Sequence, residues 1–158
     1  MAYVDADEDV ANYTSWVFVE DGKLEGITAT WADPRDPAAV LAHPDVRQVI
    51  DPARPVCVIA AMVLHFMPPD QAAAVTAGYM ARLTPGSILV ATCGRNEDPG
   101  RWAQVRSEWE ASTGIELYNF SRAEFAALFG GLEILAVPGP VAGPRGAVHM
   151  LGGPRRKA

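Results

Sequence analysis

The fold is decided by one apolar run, Arg54-Pro-Val-Cys-Val-Ile-Ala-Ala-Met-Val-Leu-His-Phe-Met-Pro-Pro69. Between Val56 and Met62 there is no alternation of apolar and polar side chains, which is typical of a strand covered on both faces in a parallel sheet. Ligands of open α/β sheets bind beyond the carboxyl ends of such strands. The residues at that end, with His65 and Phe66 among them, are therefore the first candidates for a functional site.

The composition indicates one ordinary globular domain. Of the 158 residues, 49% are hydrophobic, which is enough apolar material for a single core. We assign residues 1–158 to one domain, with an exposed basic tail at residues 152–158. The formal net charge of −6 argues against a surface built for nucleic acid or anionic lipid. No apolar stretch has the length of a membrane span and no signal peptide is recognisable, so the sequence predicts a cytoplasmic protein.

The two cysteines, Cys57 and Cys93, lie inside apolar strand-like runs. Neither has the spacing of a metal ligand, and no His or Asp lies at a diagnostic spacing that would identify Cys93 as a nucleophile. We predict that both are reduced core residues and that the chain has no metal site.

The first part of the chain predicts a strand, a helix and a second strand. Tyr3-Val4-Asp5 reads as a strand that ends on an acid, and apolar residues at helical spacing follow it. Residues Ile27 to Trp31 are of types that favour strands. Asp36 is placed as a helix N-cap, with Pro37 as the first helical residue.

The central run begins a second unit. We predict a helix from about Asp70 to Leu83 and a buried strand from Ile88 to Cys93, which together with the run form a right-handed parallel unit. Trp102, Val105 and Trp109 mark an amphipathic helix, whose stripe is interpreted as core in preference to a substrate-side wall.

The last part of the chain predicts a capped helix and a strand pair. Ser121-Arg-Ala-Glu124 is a capping box. The segments Leu132 to Val137 and Ala147 to Leu151 are predicted strands, and their connection is too short for a crossover helix. These two strands are therefore expected to pair antiparallel.

This order of elements is found in class I S-adenosylmethionine-dependent methyltransferases, although other nucleotide-binding α/β domains share most of it. Four segments carry a closer resemblance: Tyr3-Val-Asp5, Ala32-Asp-Pro-Arg-Asp-Pro-Ala-Ala-Val-Leu-Ala-His-Pro-Asp-Val-Arg47, Val63-Leu-His-Phe66 and Phe120-Ser-Arg-Ala-Glu-Phe-Ala-Ala-Leu-Phe-Gly-Gly-Leu-Glu133. They closely resemble an actinobacterial methyltransferase-like family long filed under unknown function. The resemblance spans essentially the whole chain.

The resemblance implies a partial Rossmann-like sheet, mostly parallel, from which the first strand is missing. Family members are longer at the front, where that strand and a Gly-x-Gly-type turn hold the methionine portion of the cofactor. The missing strand would lie between those at Tyr3 and Val56, so the chain resembles a truncated member with two unpaired strand edges. A folded protein must cover such edges, and a homodimer is one way of doing so.

The resemblance also implies S-adenosylmethionine as the cofactor. Asp5 would accept hydrogen bonds from both ribose hydroxyls, since a carboxylate has two acceptor oxygens. The alternative is that Asp5 is a solvated acid in a turn. Asp33 would accept from the adenine amino group, with Trp31 or Ala32 flanking the ring, and the alternative is a turn residue before Pro34.

The central run supplies the remaining candidates. Ala61 and Met62 would border the amino-acid end of the cofactor, unless they are plain core. His65 is placed to act as a general base or to orient a nucleophile, unless it caps the following helix or bonds a loop carbonyl. Phe66 is a candidate for the wall of a substrate pocket or for the core, and Trp102 is a second candidate for that wall.

Two functions follow from these residues. The first is methyl transfer from S-adenosylmethionine to an unidentified small molecule. The second is a non-catalytic or repurposed remnant that binds a partner or itself, with its open edge covered by another chain. A translation start further upstream would supply the missing segment. An NAD-dependent dehydrogenase ranks well below these, because only the acid after a strand supports it.

Overall fold

The computed structural model has an α/β fold and describes residues 1–20, 22, 25–94, 98–136 and 147–154. The strands are β1 (Ala2–Asp5), β2 (Thr28–Trp31), β3 (Cys57–Ala61), β4 (Ile88–Gly94), β5 (Leu132–Ala136) and β6 (Ala147–Pro154). The helices are α1 (Glu8–Glu20), α2 (Pro37–Ala42), α3 (Pro44–Val49), α4 (Pro69–Met80), α5 (Pro99–Thr113) and α6 (Arg122–Ala127), with a 3-10 turn at Leu64–Phe66. This alternation confirms the predicted fold class.

The six described strands form two separate sheets. In the smaller one, β1 and β2 run parallel, with Asp5 opposite Trp31 at their carboxyl ends. Helix α1 connects these strands and packs against both of them. The sheet is thus a strand-helix-strand unit whose two carboxyl ends lie side by side.

The larger sheet has the order β3-β4-β6-β5. Strands β3 and β4 are parallel, with Ala61 opposite Thr92, whereas β6 pairs antiparallel with both β4 and β5. The predicted antiparallel pair at the end of the chain is therefore confirmed. Strand β6 continues to Pro154, so the first residues of the predicted basic tail belong to this strand, and residues 155–158 lie outside the described residues.

Each sheet has an unpaired edge within the described part of the chain. Strand β1 is bonded to β2 on one side, and β3 is bonded to β4 on one side. The N–H and C=O groups on the other side of each strand have no ladder partner among the described strands. This agrees with the two unpaired edges expected from the sequence.

Strand β3 is open on one face, so the prediction that it is buried on both faces is wrong. Val58 and Ala60 pack against the core, but Cys57, Ile59 and Ala61 are exposed, with 66% of Ile59 accessible. The apolar run implied a cover on both faces, and the described residues supply a cover on only one. For the same reason Cys57 is not a core residue.

The core lies between the larger sheet, α4 and α6. Its largest fully buried side chains include Phe120, Phe125 and Phe129. Cys93 belongs to this core at 1% exposure, as predicted. The Thr76 hydroxyl donates to the carbonyl of Leu128 over 2.9 Å and so ties α4 to the residue that follows α6.

Two helix starts follow the predicted capping pattern. Asp36 Oδ1 accepts from the N–H groups of Ala38 and Ala39 at 3.0 and 2.9 Å, and Pro37 is the first residue of α2. The capping box between Ser121 and Glu124 is formed in both directions at the start of α6. Both predictions are confirmed.

Helices α2 and α4 hold the two sheets against each other. The Tyr79 hydroxyl on α4 donates to the carbonyl of Pro34, which follows β2, over 3.0 Å. A Cβ atom at Gly78 would lie 3.0 Å from Cγ of Pro37, so the close approach of these helices favours glycine at this position. The smaller sheet is therefore attached through helix packing rather than through a strand ladder.

Helix α5 has no buried side chain, although the sequence favoured a core role for its aromatic stripe. Trp102 is partly buried and Trp109 is 37% exposed. The stripe is apolar as predicted, but none of its side chains is buried, so the core interpretation is wrong.

Candidate functional site

Asp5 ends β1 with a carboxylate that is held in one orientation. The Tyr3 hydroxyl donates to Oδ2 over 2.9 Å, and the N–H of Asp7 donates to Oδ1 over 3.0 Å. Each carboxylate oxygen has a second lone pair, and Asp5 is only partly buried. The side chain can therefore accept further hydrogen bonds at the carboxyl edge of the sheet.

Tyr3 was not among the residues that sequence reasoning selected. Burial, then the hydrogen bond from its hydroxyl to Asp5 and the charge of that carboxylate, raise the pKa of Tyr3. The phenol is thus protonated at neutral pH and acts as a donor. Its position two residues before Asp5 on the same face of the strand is the signal that could have identified it.

Trp31 and Ala32 lie directly beside Asp5. The N–H of Ala32 donates to the Asp5 carbonyl over 3.0 Å. The indole Nε1 of Trp31 donates to the Ala6 carbonyl over 3.1 Å, while 57% of the side chain remains exposed. A large aromatic side chain is therefore fixed at the carboxyl edge with much of its surface accessible.

Asp33 already has a charged partner. The guanidinium of Arg35 donates to both carboxylate oxygens over 2.8 to 3.0 Å. This hydrogen bonding lowers the pKa of Asp33, against a smaller opposing effect of burial. A ligand amino group would have to share the carboxylate with Arg35, which sequence reasoning did not anticipate.

Ala61 and Met62 lie where β3 ends. Both are exposed, Met62 by 48%, which excludes the plain-core alternative. Met62 has a φ of 54°, a left-handed conformation that non-glycine residues rarely adopt. Its N–H donates to the carbonyl of Thr92 over 3.1 Å and to Oγ1 of Thr92 over 2.9 Å.

His65 lies in the 3-10 turn that follows β3 and is 9% exposed. Its Nδ1 atom is buried and has no hydrogen-bond partner among the described residues. Burial lowers the pKa of His65, so the imidazole is neutral at pH 7. The side chain does not cap α4, whose N-cap is Pro68, so the capping alternative is wrong.

Phe66 connects this turn to α5. Its ring lies 4.4 Å from that of His65 and 6.1 Å from that of Trp109, measured between centroids. Phe66 is 38% exposed. The ring of Trp109 therefore lies near that of Phe66, whereas Trp102 is the tryptophan that the sequence suggested for the pocket wall. The two tryptophans are seven residues apart on one helical stripe, so the spacing alone did not separate them.

The predicted residues thus fall into two groups. The nucleoside group consists of Asp5, Trp31, Ala32 and Asp33, at the carboxyl ends of β1 and β2. The reactive-end group consists of Ala61, Met62, His65 and Phe66, at the carboxyl end of β3. Trp102 is in neither group.

Other features lie outside these groups. His43 caps α3, because its Nδ1 atom accepts from the N–H of Asp45. An open groove of about 400 Å³ is lined by residues of α2 and α3 together with Pro52 and Arg82, away from the strand ends. The described residues include no helix that is long and apolar enough to span a membrane, and no cluster of three or more potential metal ligands.

Solved structures share the fold of this chain. A candidate methyltransferase from Thermobifida fusca has a TM-score of 0.80 and 25% identity, over 98% of this chain and 63% of that chain. A DUF574 family protein from Streptomyces avermitilis has a TM-score of 0.82 and 24% identity, over 98% and 64%. Magnesium protoporphyrin IX methyltransferase from Synechocystis, solved with bound S-adenosylhomocysteine, has a TM-score of 0.66 and 13% identity, over 98% and 64%.

The chain spans less than two thirds of the length of each of these proteins. No protein of curated function matches it. The family model described as S-adenosyl methyltransferase matches residues 1–146, which include both groups of site residues. The chain therefore belongs to the S-adenosyl methyltransferase family, as the four sequence segments predicted.

Proposed function

We propose that this chain binds S-adenosylmethionine and takes part in methyl transfer to a small molecule. The observation that carries the proposal is the carboxylate of Asp5, which the Tyr3 hydroxyl and the Asp7 amide hold at the carboxyl end of β1 with lone pairs to spare. A ribose presents two adjacent hydroxyls, which a carboxylate can accept together.

The nucleoside group fits the adenosine part of this cofactor. The accessible indole of Trp31 offers a surface for a purine ring, and its hydrogen bond to the Ala6 carbonyl fixes its position. Ala32 lies next to it without bulk. Asp33 can accept from the adenine amino group, although Arg35 shares its oxygens.

The reactive-end group fits the other end of the cofactor. Ala61 presents a small side chain, and Met62 turns the backbone away from the strand direction. The cofactor supplies an electrophilic methyl group on a sulfonium, and its transfer needs alignment and exclusion of water rather than a metal. Phe66 and the stripe of Trp102 and Trp109 would border the acceptor.

His65 is proposed as the residue that meets the acceptor. Because its pKa is lowered, the imidazole is neutral at pH 7 and has a lone pair for the proton of an acceptor hydroxyl or amine. Nδ1 is buried, so Nε2 would be the atom that takes this proton. The alternative is that the imidazole ring only packs against Phe66. In that case replacing His65 would not change the rate of methyl transfer.

Calorimetry with S-adenosylmethionine and S-adenosylhomocysteine tests the proposal. We expect saturable binding of both ligands, which Asp5→Asn weakens by about tenfold, since a charged acceptor becomes a neutral one. Asp9→Asn is the matched control, because Asp9 is an exposed acid in the first turn of α1. If the unmodified chain binds neither ligand, the proposal is wrong.

The open edges of β1 and β3 favour a second candidate, a binding module that self-associates in the cytoplasm. In this case a second copy of the chain would cover the β3 edge and the exposed Ile59. Size-exclusion chromatography with light scattering measures this directly. A dimer that Ile59→Lys dissociates supports self-association, and a strict monomer contradicts it.

A further inference from the structure

We propose that Thr92 is a positioning residue for the cofactor, because its side chain sets the backbone of Met62. This inference rests on the proposed function and identifies a residue of β4 that neither the sequence motifs nor the strand ends indicated. Met62 has a left-handed φ of 54°.

Such a conformation has a cost. A non-glycine residue in this region is destabilised, because its Cβ atom crowds the backbone, so the conformation persists only where neighbouring groups hold it. Asn and Asp tolerate the region better than Met, and the residue here is neither. The surrounding structure must therefore enforce the turn.

Thr92 supplies the contacts that enforce it. It lies opposite Ala61 in the parallel ladder, one residue before the turn. The Met62 N–H donates to both the carbonyl and Oγ1 of Thr92, at 3.1 and 2.9 Å. The ladder bond alone would continue the strand, whereas the hydroxyl offers a second acceptor at the position where β3 stops.

The turn has a functional consequence. It redirects the chain between Ala61, the last residue of β3, and the turn that carries His65 and Phe66. Loss of the Thr92 hydroxyl would allow Met62 to relax towards an extended conformation and would displace the backbone that borders the amino-acid end of the cofactor. The adenosine end, held by β1 and β2, would be unaffected.

Two ligands separate these effects. Adenosine occupies only the nucleoside group, whereas S-adenosylhomocysteine also reaches the reactive-end group. Thr92→Val keeps the shape of the side chain but removes the hydroxyl. We expect it to weaken the binding of S-adenosylhomocysteine by about fivefold, the effect of one hydrogen bond, and to leave the binding of adenosine unchanged. Thr92→Ser restores the hydroxyl and should restore the affinity.

A second background tests the coupling to Met62. Glycine adopts a positive φ without strain, so in the Met62→Gly protein the additional change Thr92→Val should alter S-adenosylhomocysteine affinity by less than about twofold. Two results would show that Thr92 is only structural. One is that Thr92→Val weakens the binding of adenosine and of S-adenosylhomocysteine equally. The other is that Thr92→Val has the same effect on S-adenosylhomocysteine affinity in the unmodified chain and in the Met62→Gly protein.

Failure of the proposed function gives a different result. If the unmodified chain binds neither adenosine nor S-adenosylhomocysteine, the cofactor assignment itself is wrong, and the role of Thr92 falls with it. If it binds both with the same affinity, the nucleoside assignment stands, but the end of β3 contributes nothing to binding and the inference about Thr92 is overturned.

Discussion

The Tyr3 hydroxyl donates to Oδ2 of Asp5 over 2.9 Å, between side chains two residues apart on one face of β1. This contact restricts the carboxylate before any ligand arrives. Because a free side chain loses rotamer entropy when it binds, a carboxylate that is already held loses less. Tyr3 therefore supports the residue on which ribose binding is proposed to depend.

Tyr3→Phe should weaken the binding of adenosine by about threefold to tenfold, since one hydrogen bond that orients Asp5 is lost. The effect should vanish in an Asp5→Asn background, because the phenol then has no charged carboxylate to hold. Calorimetry measures both affinities. Tyr13→Phe is the control, since Tyr13 is exposed on α1. An equal loss in both backgrounds would contradict the orienting role.

Arg35→Gln should raise the pKa of Asp33, because the guanidinium is the principal cause of its depression. The folded-state pKa lies below the unfolded value, so this pair stabilises the fold above the unfolded pKa and the stabilisation is lost as the pH falls through the folded pKa. Carboxyl NMR titration checks the shift, with Arg54→Gln as a control at an exposed arginine. No change in the Asp33 titration would contradict the pairing.

Tyr79→Phe should lower the free energy of unfolding by about 1 kcal/mol or somewhat more, because the Pro34 carbonyl loses its donor. Burial, followed by the charges of Asp33 and Asp36, raises the pKa of Tyr79 to about 12, so the hydroxyl remains a donor at all ordinary pH values. Urea denaturation measures the loss, and the exposed Tyr13→Phe should cause none. Equal stabilities of the two variants would contradict the prediction.

His65 should make the fold less stable in mild acid. Its folded pKa is lowered below the unfolded value of about 6.5, so between these two values the unfolded chain binds more protons. Stability should therefore fall as the pH drops from about 6.5 to the folded pKa. Above pH 6.5 the ionisation of His65 should not change the free energy of unfolding. Denaturation at a series of pH values should show a flatter dependence for His65→Gln than for the unmodified chain, and identical slopes would contradict this assignment.

Short-range features were predictable from the sequence. The cap at Asp36 and the capping box at Ser121 depend on groups within three residues, so the local pattern contains all the atoms involved. The acid at the end of β1 was found for a similar reason, since the strand that positions it lies immediately before it. The resemblance then supplied its meaning.

Features that depend on a distant neighbour were not predictable. The apolar character of Ile59 and Trp109 indicates surfaces that favour burial, but it does not say whether another element covers them. The turn at Met62 depends on Thr92, which is 30 residues away, and no glycine marks it. The pair of Arg35 and Asp33 is local, but the sequence does not indicate which rotamer the Arg35 side chain adopts, so this contact was not predicted either.

Because no ladder joins the two sheets within the described residues, we expect the molecule to behave as two units of unequal stability. The β1–β2 unit has few buried side chains, whereas β4 lies in the phenylalanine-rich core. Amide hydrogen exchange should therefore be faster in β1 and β2 than in β4. Because the nucleoside group belongs to the weaker unit, adenosine at 100 times its Kd should add up to about 2.7 kcal/mol of protection there. Binding of adenosine would then be detected as slower amide hydrogen exchange in β1 and β2.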